Sequence, residues 1–245
     1  VKAERARGVP LIYVHAGDCF SPSIMSGFDK GEHIVKLLNV APPDVFVPGN
    51  HEFDFGKDIY FARHGESRFP YYAANLRGPG GAVLDGHLDR RVFEAGLVKV
   101  GIFGVAFAAT PGASSPGDLV FEDEMRTVEE QASALRAEGA DIVVAATHTG
   151  FATDLEIFRS RLVDVLLTGH DHDLRLVYDG RVAMVESGEE GHYVTAIDMT
   201  CTVSERDGRR SVQWRPNFRV IDSASVTPDP EAAALVRQLE TELSG

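Results

Sequence analysis

Short apolar runs of strand length alternate with amphipathic segments between residues 11 and 168. Apolar, β-branched runs that stop at Gly, Pro, Asp or Thr are typical of buried strands. Segments with an apolar residue at every third or fourth position predict helices instead. The predicted strands cover residues 11–14, 45–47, 71–76, 91–94, 98–107, 141–147 and 163–168. The predicted helices cover residues 32–39, 57–63, 121–138 and 154–161.

The pattern changes near residue 174, after which only strands follow. Strands 174–178 and 181–185 are predicted to form a hairpin around Asp179-Gly180, followed by strands 193–203 and 210–220. Alternating strands and helices followed by a run of strands predict an α/β (α+β) sandwich of two sheets with helices outside. The Pro-, Gly- and Ser-rich stretch 110–117 predicts a loop.

The two ends of the chain both indicate helices. Residues 1–8 read as the last turns of a helix that ends at Gly8, so we expect further residues before Val1. An apolar stripe after a Pro-Asp-Pro start predicts a closing helix over residues 228–243. We expect one domain over residues 1–226, with residues 227–245 as an edge helix or a linker to a further domain.

Composition limits the possible partners. The chain has 245 residues, of which 44% are hydrophobic and 25% charged, which is ordinary for a globular protein. Its net charge of -13 argues against partners that are nucleic acid polymers or anionic membranes, both of which need a basic surface. An acidic protein can still bind phosphates when metal ions supply the positive charge locally.

Metal-binding side chains follow four of the predicted strands directly. The carboxyl ends of strands in an open α/β sheet are where ligands bind. Imidazole and carboxylate together suit Zn, Mn or Fe, and a carboxylate can bridge two ions, which a neutral imidazole cannot. The residues at these strand ends are Asp18, Asn50, His51, His148, His170 and His172.

Each of these residues has an ordinary structural explanation when taken alone. A Gly-Asp pair after a strand is most often a turn, and a single strand-end histidine is more often structural than a ligand. Because such residues occur at all four strand ends, a metal-binding or catalytic role is favoured over four separate structural explanations. Four other histidines are predicted to be solvated surface groups, namely His33, His64, His87 and His192. Trp214 is predicted to pack at a sheet edge.

The motifs together resemble the calcineurin-like metallophosphoesterase superfamily. Within it, they are most similar to the group of 5'-nucleotidases, UDP-sugar hydrolases and 2',3'-cyclic-nucleotide phosphodiesterases. The motifs that carry the resemblance are Gly17-Asp18, Gly49-Asn50-His51-Glu52-Phe53-Asp54, Ala146-Thr147-His148-Thr149-Gly150 and Gly169-His170-Asp171-His172. The resemblance implies a four-layer αββα sandwich of two mixed sheets and a catalytic domain that holds two divalent ions (Mn, Zn, Fe or Mg).

The resemblance also implies a role for each residue. Asp18 would bridge both ions. Asn50, His148 and His170 would complete one metal site, and His172 would belong to the other. His51 would stabilise the transferring phosphoryl group, with Asp54 orienting its imidazole. Glu52 would support the site rather than bind metal.

The chain departs from the family at its start. The family's first motif, an Asp-x-His on the opening strand, is absent before Gly17, and His15 has no partner two residues earlier. Either the opening strand is missing from this sequence, which the start within a helix favours, or the second metal site is degenerate.

The resemblance therefore predicts metal-dependent hydrolysis of phosphate esters, most of all nucleotides, by metal-bound hydroxide. The alternative is a non-catalytic metal- or nucleotide-binding protein with a degenerate site. A phosphodiesterase or sulfur-ester hydrolase on the same scaffold is a third reading. Base recognition would belong to a separate C-terminal domain. The resemblance favours a periplasmic or extracellular location and leaves a cytoplasmic one open.

Overall fold

The computed structural model describes residues 1–207 and 209–244. Its strands are β1 (Val14–His15), β2 (Val45–Phe46), β3 (Tyr71–Tyr72), β4 (Leu76–Arg77), β5 (His87–Leu88), β6 (Arg90–Ala95), β7 (Val98–Val105), β8 (Val120–Phe121), β9 (Ile142–Thr147), β10 (Val165–Thr168), β11 (Leu174–Tyr178), β12 (Ala183–Ser187), β13 (Tyr193–Arg206) and β14 (Arg209–Asp222). Its helices are α1 (Lys2–Ala6), α2 (Ile24–Asp29), α3 (Glu32–Leu38), α4 (Lys57–Glu66), α5 (Thr110–Ala113), α6 (Glu124–Ala137), α7 (Phe151–Ser160) and α8 (Pro230–Ser244).

The described strands form two main sheets. The smaller has the order β1-β2-β3-β5 and is parallel throughout. The larger has the order β11-β12-β10-β9-β7-β6, with a parallel centre and an antiparallel strand at each edge. A long β13–β14 hairpin and a short β4–β8 pair complete the described strands.

The side chains of the two main sheets form three apolar layers, because successive side chains along a strand point to opposite faces of a sheet. In the smaller sheet, Phe46 packs towards α3 and α4, whereas Val45 faces the other sheet. In the larger sheet, Ile102 faces the smaller sheet and Phe103 packs under α6 and α7. The α/β sandwich of two sheets with helices outside, predicted from the sequence, is confirmed.

The two sheets lie close together at Gly104 on β7. A Cβ atom there would lie 2.2 Å from the carbonyl oxygen of Tyr72 on β3. The carbonyl of Gly104 also accepts the amide N–H of Ala74 at 2.8 Å. This contact joins the two sheets backbone to backbone near their carboxyl ends, so the two halves of the candidate site share one rigid frame.

Several predicted elements differ in detail from the observed ones. The stretch 110–117 contains the helix α5, because Pro111 in the first turn supports a helical start. The predicted strand 71–76 is two strands, β3 and β4, in different sheets. The helix α2 was not predicted. The predicted closing helix is observed as α8, and Gly245 lies outside the described residues. The assignment of residues 1–226 as one domain stays a prediction.

Two histidines predicted as surface groups are buried, which corrects the sequence reading. His33 is held by Asp29, whose carboxylate lies 2.8 Å from Nδ1. His87 lies among aromatic rings, and its Nε2 lies 2.6 Å from the hydroxyl of Tyr60. Its Nδ1 lies 3.0 Å from the carbonyl of Asp85, so both ring nitrogens have partners in the neutral state. His192 is exposed, as predicted.

Trp214 is half-buried against the core between the sheets, where its ring lies 5.7 Å from that of Tyr178. Its predicted packing role is therefore confirmed. Over the described residues, no helix is both long and apolar enough to cross a membrane.

Burial makes His87 a source of pH-dependent stability. Burial lowers the pKa of His87 from 6.5 to about 4. The unfolded chain binds the proton below pH 6.5 whereas the folded chain does not, so the contribution of His87 falls as the pH drops towards 4. We expect this loss to reach about 3 kcal/mol, at about 1.4 kcal/mol per pKa unit.

The measurement is the free energy of unfolding from pH 7.5 to pH 4.5 for wild type and His87→Gln. The wild type is expected to lose more stability than the variant as the pH falls. Parallel curves for the two proteins would show that His87 does not cause the loss of stability at low pH.

Candidate metal centre

Asp18 lies in the tight turn after β1 and contacts two other elements. Its backbone is left-handed, with φ of 55°, which turns the side chain towards the carboxyl ends of the strands. Its Oδ1 accepts the amide N–H of His51 at 2.8 Å. Its Oδ2 lies 2.9 Å from Nε2 of His148. The carboxylate thus bridges the ends of β2 and β9.

Gly49 permits this approach. A Cβ atom at residue 49 would lie 2.2 Å from Oδ1 of Asp18 and 2.7 Å from Cε1 of His148. Only glycine therefore fits between the carboxylate and the imidazole. The glycine that precedes Asn50 in the sequence motif is required by this contact.

The two histidines of the site face each other. His148 donates from Nδ1 to the carbonyl of Ala16 at 2.6 Å, which directs Nε2 towards Asp18 and His170. Nε2 of His148 lies 3.2 Å from Nδ1 of His170. That Nδ1 lies 3.1 Å from Oδ1 of Asn50. The ring of Phe107 packs on His170, with centroids 4.2 Å apart.

The donor set fits a divalent cation. One oxygen or nitrogen atom from each of Asp18, His148 and His170 lies within 4.8 Å of the other two. The amide oxygen of Asn50 joins them, since it lies 3.1 Å from Nδ1 of His170. These groups offer lone pairs to a common point. A cation satisfies all of them at once, and N and O ligands suit Zn, Mn or Fe.

The charges of the site also depend on each other. Burial raises the pKa of Asp18, but the hydrogen bond and charge of His148 together with those of His51 outweigh burial, so the net pKa is lowered. Burial lowers the pKa of His148, but the bond and charge of Asp18, the carbonyl of Ala16 and the charge of Glu52 together raise it, so its net pKa is raised. The pKa of His170 is lowered, first by burial and then by the nearby His148.

The structure does not bring His172 into this group. Its side chain is 56% exposed, and its Nδ1 lies 3.0 Å from Oε2 of Glu189. His15 does not join the group either. Its Nδ1 accepts the amide N–H of Gly17 at 3.1 Å, and its ring stacks on Phe46. Among the described residues, one cluster of metal-binding side chains is therefore assembled here, and a second is not.

Comparison with known proteins shows which family the chain belongs to. The model of the calcineurin-like phosphoesterase family matches residues 2–174. The chain belongs to this family. The matched segment contains every residue of the cluster just described, so the metallophosphoesterase resemblance of the motifs is confirmed.

Relatives of this phosphoesterase chain include 5'-nucleotidases. It is 31% identical over 216 residues to a snake venom 5'-nucleotidase from Crotalus adamanteus, covering 86% of this chain and 35% of that protein. It is 30% identical over 194 residues to a 5'-nucleotidase from Homo sapiens, covering 77% of this chain and 34% of that protein. The chain therefore spans about a third of the length of these curated relatives.

Solved structures share the fold. The 5'-nucleotidase precursor from Thermus thermophilus superposes with a TM-score of 0.83 at 20% identity, covering 99% of this chain and 52% of that one. The sulfate thiohydrolase SoxB of the same organism, in complex with glycerol, superposes with a TM-score of 0.84 at 22% identity, covering 98% and 44%. At these identities the likeness shows the shared fold alone.

Beside the cluster of metal-binding side chains in this phosphoesterase chain, His51 is oriented by Asp54. Nδ1 of His51 lies 2.6 Å from Oδ2 of Asp54. The other carboxylate oxygen accepts the hydroxyl of Ser114 at 2.8 Å. Burial lowers the pKa of His51, but the bond to Asp54 and the nearby Asp18 raise it above its ordinary value. Ser114 lies just after α5, and no sequence motif had indicated it.

Glu52 is the buried carboxylate beneath the cluster. It accepts the amide N–H groups of Gly49 at 2.5 Å, Asp18 at 2.8 Å, Cys19 at 2.7 Å and Phe20 at 3.2 Å. Its side chain therefore ties the turn after β1 to the turn after β2. The sequence reading of Glu52 as a supporting residue agrees with these contacts.

Asp154 is another buried carboxylate near the cluster, and, unlike Glu52, it was not predicted from the sequence. Its Oδ1 accepts the hydroxyl of Thr149 at 2.6 Å and that of Thr168 at 3.0 Å. Burial raises the pKa of Asp154 to about 7. These bonds join the ends of β9 and β10, the strands that carry His148 and His170.

Replacing Glu52 by Gln is expected to destabilise the fold strongly. The amide of Gln would place an N–H₂ group against backbone N–H donors, leaving buried donors without acceptors, at a cost of about 3–5 kcal/mol. The measurement is the free energy of unfolding in urea at pH 7.

Glu129→Gln is the matched control, because Glu129 lies exposed on α6. It is expected to change stability by less than about 0.5 kcal/mol. Equal stability of the two variants would contradict the supporting role of Glu52.

Proposed function

We propose that the chain hydrolyses phosphate esters, most of all nucleotides, in a metal-dependent reaction. The observation that carries this proposal is the convergence of the four side chains described above, from Asp18, Asn50, His148 and His170. They come from the turns after four different strands and meet at one edge of the sandwich. Membership in the calcineurin-like phosphoesterase family supports the same reaction class.

The four side chains would hold the metal. Divalent ions at such a site neutralise phosphoryl charge and lower the pKa of an attacking water. The chain's own contribution is to fix the ligand atoms before substrate arrives. The carbonyl of Ala16 sets the tautomer of His148, and Phe107 limits the rotation of the His170 ring.

His51 and Asp54 would act on the substrate. His51 is partly exposed, so its Nε2 is free to meet a phosphoryl oxygen or the leaving oxygen. Asp54 accepts from Nδ1, which directs the other ring nitrogen outward. We propose that His51 stabilises the transferring phosphoryl group and donates a proton to the leaving oxygen.

The substrate class rests on the relatives. Their names make nucleotides the first candidates. We propose that base recognition is the task of a separate C-terminal domain, as the resemblance of the motifs to 5'-nucleotidases implies. The similarity to venom proteins supports an extracellular or periplasmic location.

A non-catalytic metal- or nucleotide-binding protein is the second candidate function. The observation that favours it is the outward-facing His172, which leaves the described residues with one assembled cluster. Elemental analysis of the purified protein separates the two. Two divalent ions per chain would support the phosphoesterase with its two-ion centre, and one or none would support the alternative.

Replacing His148 by Ala is expected to remove a metal ion and most activity. The imidazole is buried beside Asp18, with 1% of its side chain exposed, so no other group can take its place. We expect turnover of a nucleoside 5'-monophosphate to fall by at least about 100-fold. Asn50→Ala is expected to act in the same direction.

His192→Ala is the control, since His192 is exposed and lies outside the cluster. It is expected to keep both the metal content and the turnover of the wild type. A His148→Ala variant that turned over aryl phosphates at the wild-type rate would refute the metal-dependent proposal.

His51→Ala is expected to separate catalysis from metal binding. Metal content should stay at the wild-type level, because the side chain of His51 is not in the cluster. Turnover should fall by about 100-fold or more for an alkyl phosphate, whose leaving oxygen needs a proton, and by less for 4-nitrophenyl phosphate. The same loss for both substrates would contradict a proton-donating role.

A further inference from the structure

The turn that carries His170 and His172 has a strained backbone. His170 has φ of 104° and His172 has φ of 65°, both in the region that side chains other than glycine avoid. Such a conformation is unfavourable and persists only where the surrounding structure holds it. Whatever holds residues 169–173 therefore also sets the position of the His170 imidazole.

Glu186 on β12 contacts the centre of this turn. Its Oε1 accepts the amide N–H of Asp171, the residue between the two histidines, at 3.0 Å. The residue is 1% exposed. Glu186 pairs in register with Thr168 across the two parallel strands, so its side chain lies directly beside the end of β10.

Arg175 on β11 holds the other oxygen of Glu186. Its Nη1 donates to Oε2 at 2.9 Å. The same guanidinium contacts Asp173 and lies over the ring of Phe151, 3.9 Å from its centroid. The charge of the buried carboxylate is thus balanced, and the pair links β11 and β12 to the start of α7.

We propose that Glu186 is a positioning residue: with Arg175 as its counter-charge, it fixes the turn 169–173 so that His170 is presented to the metal site. This inference rests on the proposed function, because it assumes that His170 is a ligand. The bond to Asp171 is the contact through which it acts. Without it, the strained turn is free to relax, and the imidazole of His170 loses its fixed distance to Asn50 and His148.

Two double variants separate this role from simple stabilisation. Both contain Arg175→Met, which removes the counter-charge. One adds Glu186→Met and has no acceptor for the amide of Asp171, whereas the other adds Glu186→Gln and keeps an amide oxygen there. Replacing a buried ion pair by apolar side chains of similar size is often neutral for stability, so the Met/Met variant is expected to fold. The Gln/Met variant is expected to fold as well, because its amide oxygen keeps the bond to Asp171.

The measurement is the Mn²⁺ dissociation constant by titration calorimetry, with melting temperatures as the folding check. The Met/Met variant is expected to bind the ion at the His170 site about 10–100-fold more weakly than wild type. The Gln/Met variant is expected to bind close to the wild-type value. Turnover of the Met/Met variant is expected to recover as Mn²⁺ approaches saturation.

Equal Mn²⁺ affinity of folded Met/Met and wild-type proteins would overturn this inference alone. Wild-type protein that binds no Mn²⁺ would overturn the proposed function, and this inference with it. Should the Met/Met variant not fold, Glu186→Leu with Arg175→Met provides a second variant without the acceptor, to be compared with Gln/Met in the same titration.

Discussion

The carboxylate of Glu52 is the contact on which the rest of the site depends. It is buried, and it gathers amide N–H groups from two turns that are far apart in sequence. Those turns carry Asp18 and Asn50, so both residues are held near the cluster before any ligand binds. A carboxylate that accepts several amide N–H groups is well suited to this task, because each bond to a charged acceptor is stronger than one to a neutral acceptor.

Buried carboxylates also hold the turns on the other side of the cluster. Asp154 joins the ends of β9 and β10 through two threonine hydroxyls, and Glu186 holds the turn that follows β10. Three buried carboxylates thus lie behind a site that is itself formed by loops. Such support matters because a ligand atom misplaced by about 1 Å weakens both metal binding and catalysis. The strained turns can persist only with this support.

The residues that form the cluster could be predicted from the sequence better than their surroundings could. Asp18 and His148 could be located because hydrophobic runs define strands, and the carboxyl ends of strands meet at one edge of a sheet. The burial of His87 could not be predicted, since it depends on aromatic rings from distant parts of the chain. Ser114 and Glu186 were missed for the same reason: their contacts are with residues of other elements, and no local pattern reports them.

We propose that the cluster around Asp18 holds divalent ions that the reaction requires. The most direct measurement is hydrolysis of a nucleoside 5'-monophosphate by protein stripped with a chelator and then titrated with Mn²⁺. We expect no turnover in the stripped protein and turnover that rises in step with bound Mn²⁺. Full turnover in the stripped protein, or bound Mn²⁺ without any turnover, would contradict it.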